Sequence, residues 1–375
     1  FKVRDSMISK KYSVAYIFWF CAFFALCMNT GYCQTIIPTG TPFVKQYKKS
    51  QYKAGNQNWS LAIDQEGRIY SANTEGLLRF DGQYWRMYPL PNHSTVRSVA
   101  VDKTGKVYTG GRGEFGYWTS KAFGEMSYHS LSKLVKDKTY FPNEEIWKII
   151  VEDHRVFFHT FSKAYIWENN TIRPLTAKGE PFLFPHQLND QLFFEQLPSG
   201  LHEFKAGKLV PVQGKETLRD KNVLAILPYD KDNSIIATAR HGLYLMSSNG
   251  IIKQWAISAN SILSQSQINN GIYLYHGQYA FGTIQNGVII INKAGEVVQH
   301  INKNNGLQNN TVLSIVKDKQ QNIWVGLDNG IDRIEINSSL SFYTDFIGKI
   351  GTVYTSIIYR GKIYLGTNKG LFVSE

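Results

Sequence analysis

A strand–turn–strand phrase recurs eight times along this chain of 375 residues. In each copy a short run rich in aromatic and β-branched residues is followed by a turn and then by a second apolar run, which in most copies begins with a glycine. The phrase is clearest at residues 67–80 and 322–334, and its marker residue recurs every 36 to 50 positions. The marker positions are Tyr70, Tyr108, Phe158, Phe194, Ile236, Phe281, Trp324 and Tyr364.

This spacing is typical of the four-stranded blades of a β-propeller and exceeds that of most helical or leucine-rich repeats. The chain has 22 Tyr, 22 Phe and 8 Trp, residue types that strands prefer. We therefore expect an all-β fold: a seven-bladed β-propeller with the start of a second propeller, preceded by a signal peptide. The expected boundaries are a signal peptide at 1–33, a lead-in at 34–57, the seven-bladed propeller at 58–340, and a truncated first unit of a second propeller at 341–375.

The N-terminal segment has the pattern of a signal peptide. Two lysines follow the expected start at Met7, and residues 12–28 form an almost unbroken apolar run. Small residues at Gly31 and Cys33 then give a plausible cleavage site before Gln34. An uncleaved membrane anchor is the alternative, because the apolar run is near the lower length limit for a span.

The cysteines and charges exclude several classes of function. All three cysteines lie within the signal segment, so the rest of the chain has no disulfide framework, thiol nucleophile or cysteine metal site. The net charge is +12, and +9 without residues 1–33, with the basic residues scattered. The densest basic cluster, residues 45–53, is either a solvated strand or a contact for anionic lipid. Because an export signal precedes it, we do not expect this portion to bind nucleic acid.

The sequence has no motif that indicates a cofactor, a metal or a catalytic group. The Asp-x-x-Gly elements at 64–67 and 102–105 lack the alternating ligands of a calcium loop and are typical of hairpin turns. The nine histidines show no helical i, i+4 pair, and no Gly-x-Ser-x-Gly elbow or Walker pattern occurs. We therefore predict no cofactor, no metal and no catalytic residue.

The turns between the second and third strands of the blades are the predicted binding positions, because repeat geometry places them all on one face. In the second blade, the glycine-rich stretch 110–116 has two interpretations. The glycines could allow close backbone packing, or Arg112 and Glu114 could form a pair that contacts a polar ligand. The candidate residues are Glu75, Arg112, Glu114, Arg240, His241, Asp328 and Asn329.

Residues 305–315 with 322–326 resemble the two-component-regulator propeller repeat. Residues 57–60, 73–82 and 113–118 resemble more specifically the N-terminal sensor region of Bacteroidetes-type membrane regulators with a triple-tyrosine domain. The resemblance covers about residues 43–375. Blades one, two, seven and eight match well, and blades three, four and six match poorly.

The resemblance implies an exported sensor at the periplasmic face of the inner membrane of a Gram-negative bacterium. It implies an oligosaccharide or another small ligand and a homodimer. It also implies a transmembrane helix and a DNA-binding or histidine kinase output, none of which lies in this sequence. No catalytic residues are implied.

Two other functions remain open on the sequence. An exported carbohydrate-active enzyme, a lyase or a glycosidase, would need carboxylates in a common pocket, for which Glu75, Glu114 and Asp328 are the candidates. A plain interaction scaffold would bind no small ligand.

Overall fold

The computed structural model describes residues 34–36, 40–121, 124–136, 141–177, 179–342 and 348–374. The expected signal segment, residues 1–33, lies outside the described residues. Two compact units divide the chain: Thr41–Thr344, and Phe1–Gly40 together with Asp345–Glu375. Strands are numbered in chain order, and the first two are β1 (Gln34–Ile36) and β2 (Val44–Tyr47).

The predicted all-β propeller fold is confirmed, since Thr41–Thr344 is built from four-stranded antiparallel sheets, which we call blades. In the first six blades, four consecutive strands form an up-and-down meander. The strands of the first three are β3 (Asn58–Ile63), β4 (Ile69–Asn73), β5 (Gly76–Phe80) and β6 (Trp85–Tyr88); β7 (Val96–Val101), β8 (Val107–Gly111), β9 (Phe115–Ser120) and β10 (Met126–Ser130); and β11 (Lys148–Val151), β12 (Arg155–His159), β13 (Lys163–Glu168) and β14 (Thr171–Thr176).

The next three blades repeat this order. Their strands are β15 (His186–Leu188), β16 (Gln191–Gln196), β17 (Gly200–Lys205) and β18 (Lys208–Pro211); β19 (Val223–Pro228), β20 (Asn233–Thr238), β21 (Leu243–Ser247) and β22 (Ile252–Gln254); and β23 (Ile268–Tyr273), β24 (Tyr279–Thr283), β25 (Val288–Ile291) and β26 (Val297–Ile301).

The seventh blade joins the two ends of the larger unit. It contains β27 (Val312–Lys317), β28 (Ile323–Leu327) and β29 (Ile331–Ile334), and its fourth strand is β2. Val44 pairs with Ile334 and Tyr47 with Ile331 in antiparallel register, while Lys45 between them is exposed. Part of the segment expected as a lead-in, 34–57, thus belongs to a blade.

The core lies between the blades. The second strand of a blade is buried on both faces, as in β4, β8, β24 and β28, because neighbouring blades cover it. Among the described residues, seven clusters of buried apolar side chains each join two neighbouring blades, including the seventh and the first. The blades therefore form a closed ring, which leaves no blade with an uncovered face.

In blades 1 and 2 an aspartate holds the hairpin between the first two strands. The Asp64 carboxylate accepts hydrogen bonds from the backbone N–H groups of Glu66 and Arg68 and, at 3.1 Å, from the Tyr70 hydroxyl. Asp102 in blade 2 makes the same bonds. The Asp-x-x-Gly elements thus tie each turn to the aromatic residue of the second strand.

The helices of the described residues are short and lie in connections. None of them reaches the length and apolar character that a bilayer crossing needs. They are α1 (Lys49–Tyr52), α2 (Asn260–Ser266) and the 3₁₀ turns Ser132–Leu134, Phe141–Asn143, Lys215–Leu218, Tyr275–Gly277 and Lys303–Asn305.

The smaller unit contains one sheet, in the order β1, β32 (Gly370–Ser374), β31 (Lys362–Thr367) and β30 (Val353–Tyr359). β1 runs parallel to β32, whereas the other pairs are antiparallel. All seven residues of β30 are exposed, and Tyr354 is 74% exposed. This strand corresponds to the first strand of a blade.

Candidate functional site: the mouth of the central channel

The first strands of all seven blades in the larger unit contribute residues to one central cavity of about 490 Å³. This volume is within the range of small-molecule pockets, 300–1,000 Å³. Aliphatic side chains such as those of Leu61, Val99 and Ile149 form part of the wall. The other lining residues are aromatic, cationic, amide-bearing or small (Ser60, Gly271 and Ser314), and no Asp or Glu belongs to the described lining.

A β-bulge directs one residue of most first strands into this cavity. In blades 1, 2, 5, 6 and 7 the pairing register shifts at the second residue of the first strand. A bulge inserts one unpaired residue and re-aims its side chain, and bulges are common beside functional sites. All five bulged residues line the cavity: Trp59, Arg97, Leu224, Asn269 and Leu313.

The bulged residues of blades 1 and 2 meet Trp147, which directly precedes β11. The Arg97 guanidinium lies over the Trp59 ring, 3.9 Å from its centroid, and 4.9 Å from that of Trp147. Arg97 Nε also donates to Glu145 Oε1 at 2.6 Å. The two indoles make an edge contact at 6.2 Å. Cation–π contacts and an ion pair thus hold three flat groups in fixed orientations at the cavity wall.

An aromatic wall continues from this cluster to blade 4. The ring of Trp147 lies 5.4 Å from that of Phe161, which lies 5.5 Å from that of Phe184. His159, fully buried, packs against Phe161 and Phe184. The described lining therefore offers several aromatic surfaces on which a flat or ring-shaped ligand could stack.

The ionisable groups beside the wall lie in a strongly desolvating environment. Lys148 lines the cavity, and burial lowers the pKa of its ammonium to about 8. Burial, with a smaller contribution from the nearby Lys148 charge, lowers the pKa of His159 to about 3 and holds that of His186 well below its ordinary value. Both imidazoles are therefore neutral at neutral pH.

The predicted turn residues lie at the same end of the ring as the bulges. In blade 1, Asn58 at the start of β3 pairs with Asn73 at the end of β4, next to the turn that carries Glu75. In blade 2, Arg112 forms a β-bridge with Glu145, the ion-pair partner of Arg97. The turns therefore surround the channel mouth, but none of the seven predicted residues belongs to the described lining of the cavity.

Most of the predicted turn residues are exposed around the rim. Glu75, His241 and Asn329 are exposed. Arg240 donates to Gln267 Oε1 at 2.5 Å, and Asp328 accepts from Gln57 Nε2 at 2.8 Å.

Arg112 and Glu114 each bond to other groups. The exposed Arg112 contacts Asn143 Oδ1 at 3.4 Å. Glu114 is only 8% exposed, and its carboxylate accepts hydrogen bonds from the hydroxyls of Tyr128, Ser130 and Ser132 at 2.8–3.0 Å. A Cβ on Gly116 would lie 2.2 Å from the His129 carbonyl oxygen. This geometry favours the close-packing interpretation of the glycine-rich stretch.

Carboxylate catalysis has no support in the cavity geometry. Glu114 is held inside blade 2 by its hydrogen bonds, and neither it nor Glu75 nor Asp328 belongs to the described cavity lining. A glycosidase needs two carboxyl groups about 5–9.5 Å apart across the scissile bond. In the described residues no group of three or more His, Cys, Asp or Glu is arranged to hold a metal ion.

Comparison with known proteins agrees with the repeat seen in the sequence. Residues 306–329, which lead into β27 and end in the turn after β28, match the family model described as two component regulator propeller. The chain carries a two-component-regulator propeller repeat. The predicted resemblance is confirmed for this regulator repeat. A comparison with curated protein sequences finds no significant match.

Several solved structures share the fold of the chain that carries this regulator repeat. The extracellular domain of a putative hybrid two component system from B. thetaiotaomicron matches with a TM-score of 0.66 and 17% identity, over 89% of this chain and 48% of that chain. The extracellular domain of a putative one component system from the same organism matches with a TM-score of 0.59 and 20% identity, over 88% and 45%. The present chain thus spans about half the length of either domain.

An enzyme shares the fold as well. Virginiamycin B lyase from Staphylococcus aureus matches with a TM-score of 0.59 and 12% identity, over 78% of this chain and 98% of the lyase. At these sequence identities the likeness shows the fold alone, because one fold can carry many functions.

The cavity-lining residues were not among those predicted from the sequence. Trp59, Arg97 and Asn269 each follow the first buried residue of a first strand. The signal in the sequence is that the second residue of the first strand differs widely in chemistry from blade to blade, although its position in the repeat is constant. The variable turns selected from the sequence lie at the rim, outside this lining.

Proposed function

We propose that this chain is the ligand-sensing propeller region of an exported signal-transduction regulator, and that an oligosaccharide binds at the mouth of its channel. The observation that carries the proposal is the bulge-directed cluster of Trp59, Arg97 and Trp147 on a cavity of about 490 Å³, in a chain with a regulator repeat. Aromatic faces pack on the C–H faces of sugar rings, and neighbouring amides such as Asn269 bond to hydroxyls.

The cellular setting is part of the same proposal. Extracellular domains of two-component and one-component systems that share the fold support an exported location, here the periplasmic face of the inner membrane. The regulator would act as a homodimer. It would cross the membrane and reach DNA, or a kinase output, through parts of the protein other than this chain.

We also propose that the smaller unit packs against further blades of a second ring. The exposed strand β30 supports this. The first strands of blades in the closed ring, such as β3 and β27, are covered by neighbouring blades. In a longer form of the protein, backbone amides of residues 353–359 should exchange hydrogen more slowly than in the 375-residue chain. Equal exchange rates would contradict the second ring.

Replacing Trp59 or Trp147 with alanine should weaken glycan binding about tenfold or more, because each substitution removes one stacking surface. A thermal-shift screen of the purified chain against a glycan panel identifies the ligand. A ligand at 100 times its Kd stabilises the folded state by about 2.7 kcal/mol. Isothermal titration calorimetry then measures the variants.

Tyr84→Ala is the matched control, since Tyr84 is an aromatic residue that is 61% exposed and lies outside the cavity lining. Tyr84→Ala should bind the glycan like the wild type.

A panel in which no glycan shifts the melting temperature would favour the scaffold alternative. Mass spectrometry of the recovered glycan should find it unchanged; cleavage products would favour an enzyme.

A further inference from the structure

We propose that the channel site selects saccharides that carry an anionic group, a carboxylate or a sulfate ester, and that this group pairs with Lys148. The inference rests on the proposed function and names the ligand class of the same cavity. It starts from an imbalance of charge: the described lining contains Arg97, Lys148 and His186 but no carboxylate.

Arg97 does not supply the free charge. Its guanidinium pairs with Glu145 at 2.6 Å and lies over the rings of Trp59 and Trp147. Both members of the ion pair are largely buried, with side-chain exposures of 19% and 24%. The charge of Arg97 is therefore neutralised locally, and its role is to hold the two indoles in place.

Lys148 supplies the uncompensated charge. Within the part of the chain that the structure describes, its ammonium has no hydrogen-bond or ion-pair partner, and desolvation is the one cause of its lowered pKa. A cation that has lost much of its hydration and has no partner is destabilised relative to the same cation in water. An anionic ligand group would relieve that cost, whereas a neutral sugar would not.

The ionisable groups around Lys148 do not compensate it. His159 on β12 and His186 on β15 are held neutral by burial and are not acceptors of opposite charge. Glu195 on β16 lies outside the described cavity lining. Its Oε2 accepts the Val223 N–H at 2.7 Å, and burial raises its pKa to about 7.

The position of Lys148 fits a combined site. Trp147 and Lys148 both line the cavity, so an anionic substituent could reach the ammonium while the sugar ring lies on the indole. The amide side chains of Gln187, Asn269 and Asn270 on other blades line the same cavity and could bond the hydroxyls. The pocket thus combines stacking surfaces, amides and one uncompensated cation. Its described lining has no carboxylate that would repel an anionic ligand.

The test compares matched saccharides on the full chain: a galacturonate oligomer, an O-sulfated galactose oligomer and the neutral galactose oligomer of equal length. We expect either or both acidic oligomers to bind about tenfold or more tightly than the neutral one at pH 7. Lys148→Met should remove this preference, so that the three oligomers bind with similar affinity, and Lys148→Arg should keep it. The two acidic oligomers distinguish carboxylate from sulfate.

A measurement without ligand checks that Lys148 is an unpaired cation. Its folded-state pKa is depressed, so the cost of burying the charge is fully present below pH 8 and disappears as the pH rises through about 10.5, the ordinary lysine pKa. Lys148→Met should therefore melt at a higher temperature than the wild type at pH 7. A lower melting temperature would mean that the ammonium has a structural partner, which overturns the inference.

The outcomes separate the two proposals. If the neutral oligomer binds as tightly as both acidic ones, or if Lys148→Met retains the preference, the anion inference fails and the sensor proposal stands. If none of the three oligomers binds and the glycan panel is also negative, both proposals fail.

Discussion

Replacement of Tyr47 with alanine is expected to lower the free energy of unfolding by about 3–5 kcal/mol, the usual cost of removing a buried aromatic side chain. Tyr47 is 4% exposed and belongs to β2, the strand that completes the seventh blade. Its ring stacks on Trp324 at 5.3 Å and meets Phe80 and Trp85 of the first blade edge-on at 5.2 and 5.7 Å. One side chain thus contacts both blades at the point where the ring closes.

Equilibrium urea unfolding of the Tyr47→Ala variant measures this effect. Tyr84→Ala, a substitution of the same kind at an exposed position, should change the free energy of unfolding by less than about 0.5 kcal/mol. If the two variants unfold at the same urea concentration, closure through β2 does not determine the stability of the propeller. A lower slope of free energy against urea in Tyr47→Ala would indicate that the ring also opens in the native state.

The second large effect concerns a buried carboxyl group. Glu195 is 1% exposed; its Oε2 accepts one backbone hydrogen bond and its Oε1 has no partner among the described residues. Burial, opposed in part by that hydrogen bond, raises its pKa from 4.5 to about 7. In this window the folded protein keeps a proton that the unfolded chain has released, so Glu195 destabilises the fold as the pH rises from about 4.5 to about 7.

Glu195→Gln has no proton to lose at this site. Relative to the wild type, its free energy of unfolding should therefore increase by roughly 3 kcal/mol between pH 4.5 and 7.5. Burial of the neutral His159 and His186 lowers the free energy of unfolding as the pH falls below about 6.5. Both proteins contain these histidines, so their contribution cancels in the comparison. Glu75→Gln, at an exposed carboxyl, is the control. Parallel curves for wild type and Glu195→Gln would mean that Glu195 is ionised in the fold.

The fold could be predicted because its information is local and repeated. Each blade of the ring carries its own turn and its own buried second strand, so the spacing of markers such as Tyr70 and Tyr108 was sufficient. Ring closure by β2 had no such local signal. Four residues, Val44–Tyr47, become a strand only through pairing with β29, and no repeat stands beside them in the sequence.

The site was only partly predictable for a different reason. The face of the ring followed from the order of the strands, but the direction of a side chain at a bulge depends on the pairing register. Trp59 and Arg97 look like ordinary strand residues until the register shift at each is seen. Glu114 shows the converse: a charged residue in a glycine-rich turn looked exposed, and three hydroxyls from β10 and the following turn enclose it.

Completion of the seventh blade by an N-terminal strand also determines when the protein can finish folding during its synthesis. Gln46 bonds to Gly306, 260 residues further along the chain. At 5–20 residues per second the ribosome needs about 13–50 s to make that stretch. For at least this time β2 is unpaired, because its partner β29 follows Gly306 in the chain. An unpaired strand edge is a site of aggregation. The short length of β2 and its exposed Lys45 limit that risk. The same short length that left β2 without a signal in the sequence thus protects the nascent chain from aggregation.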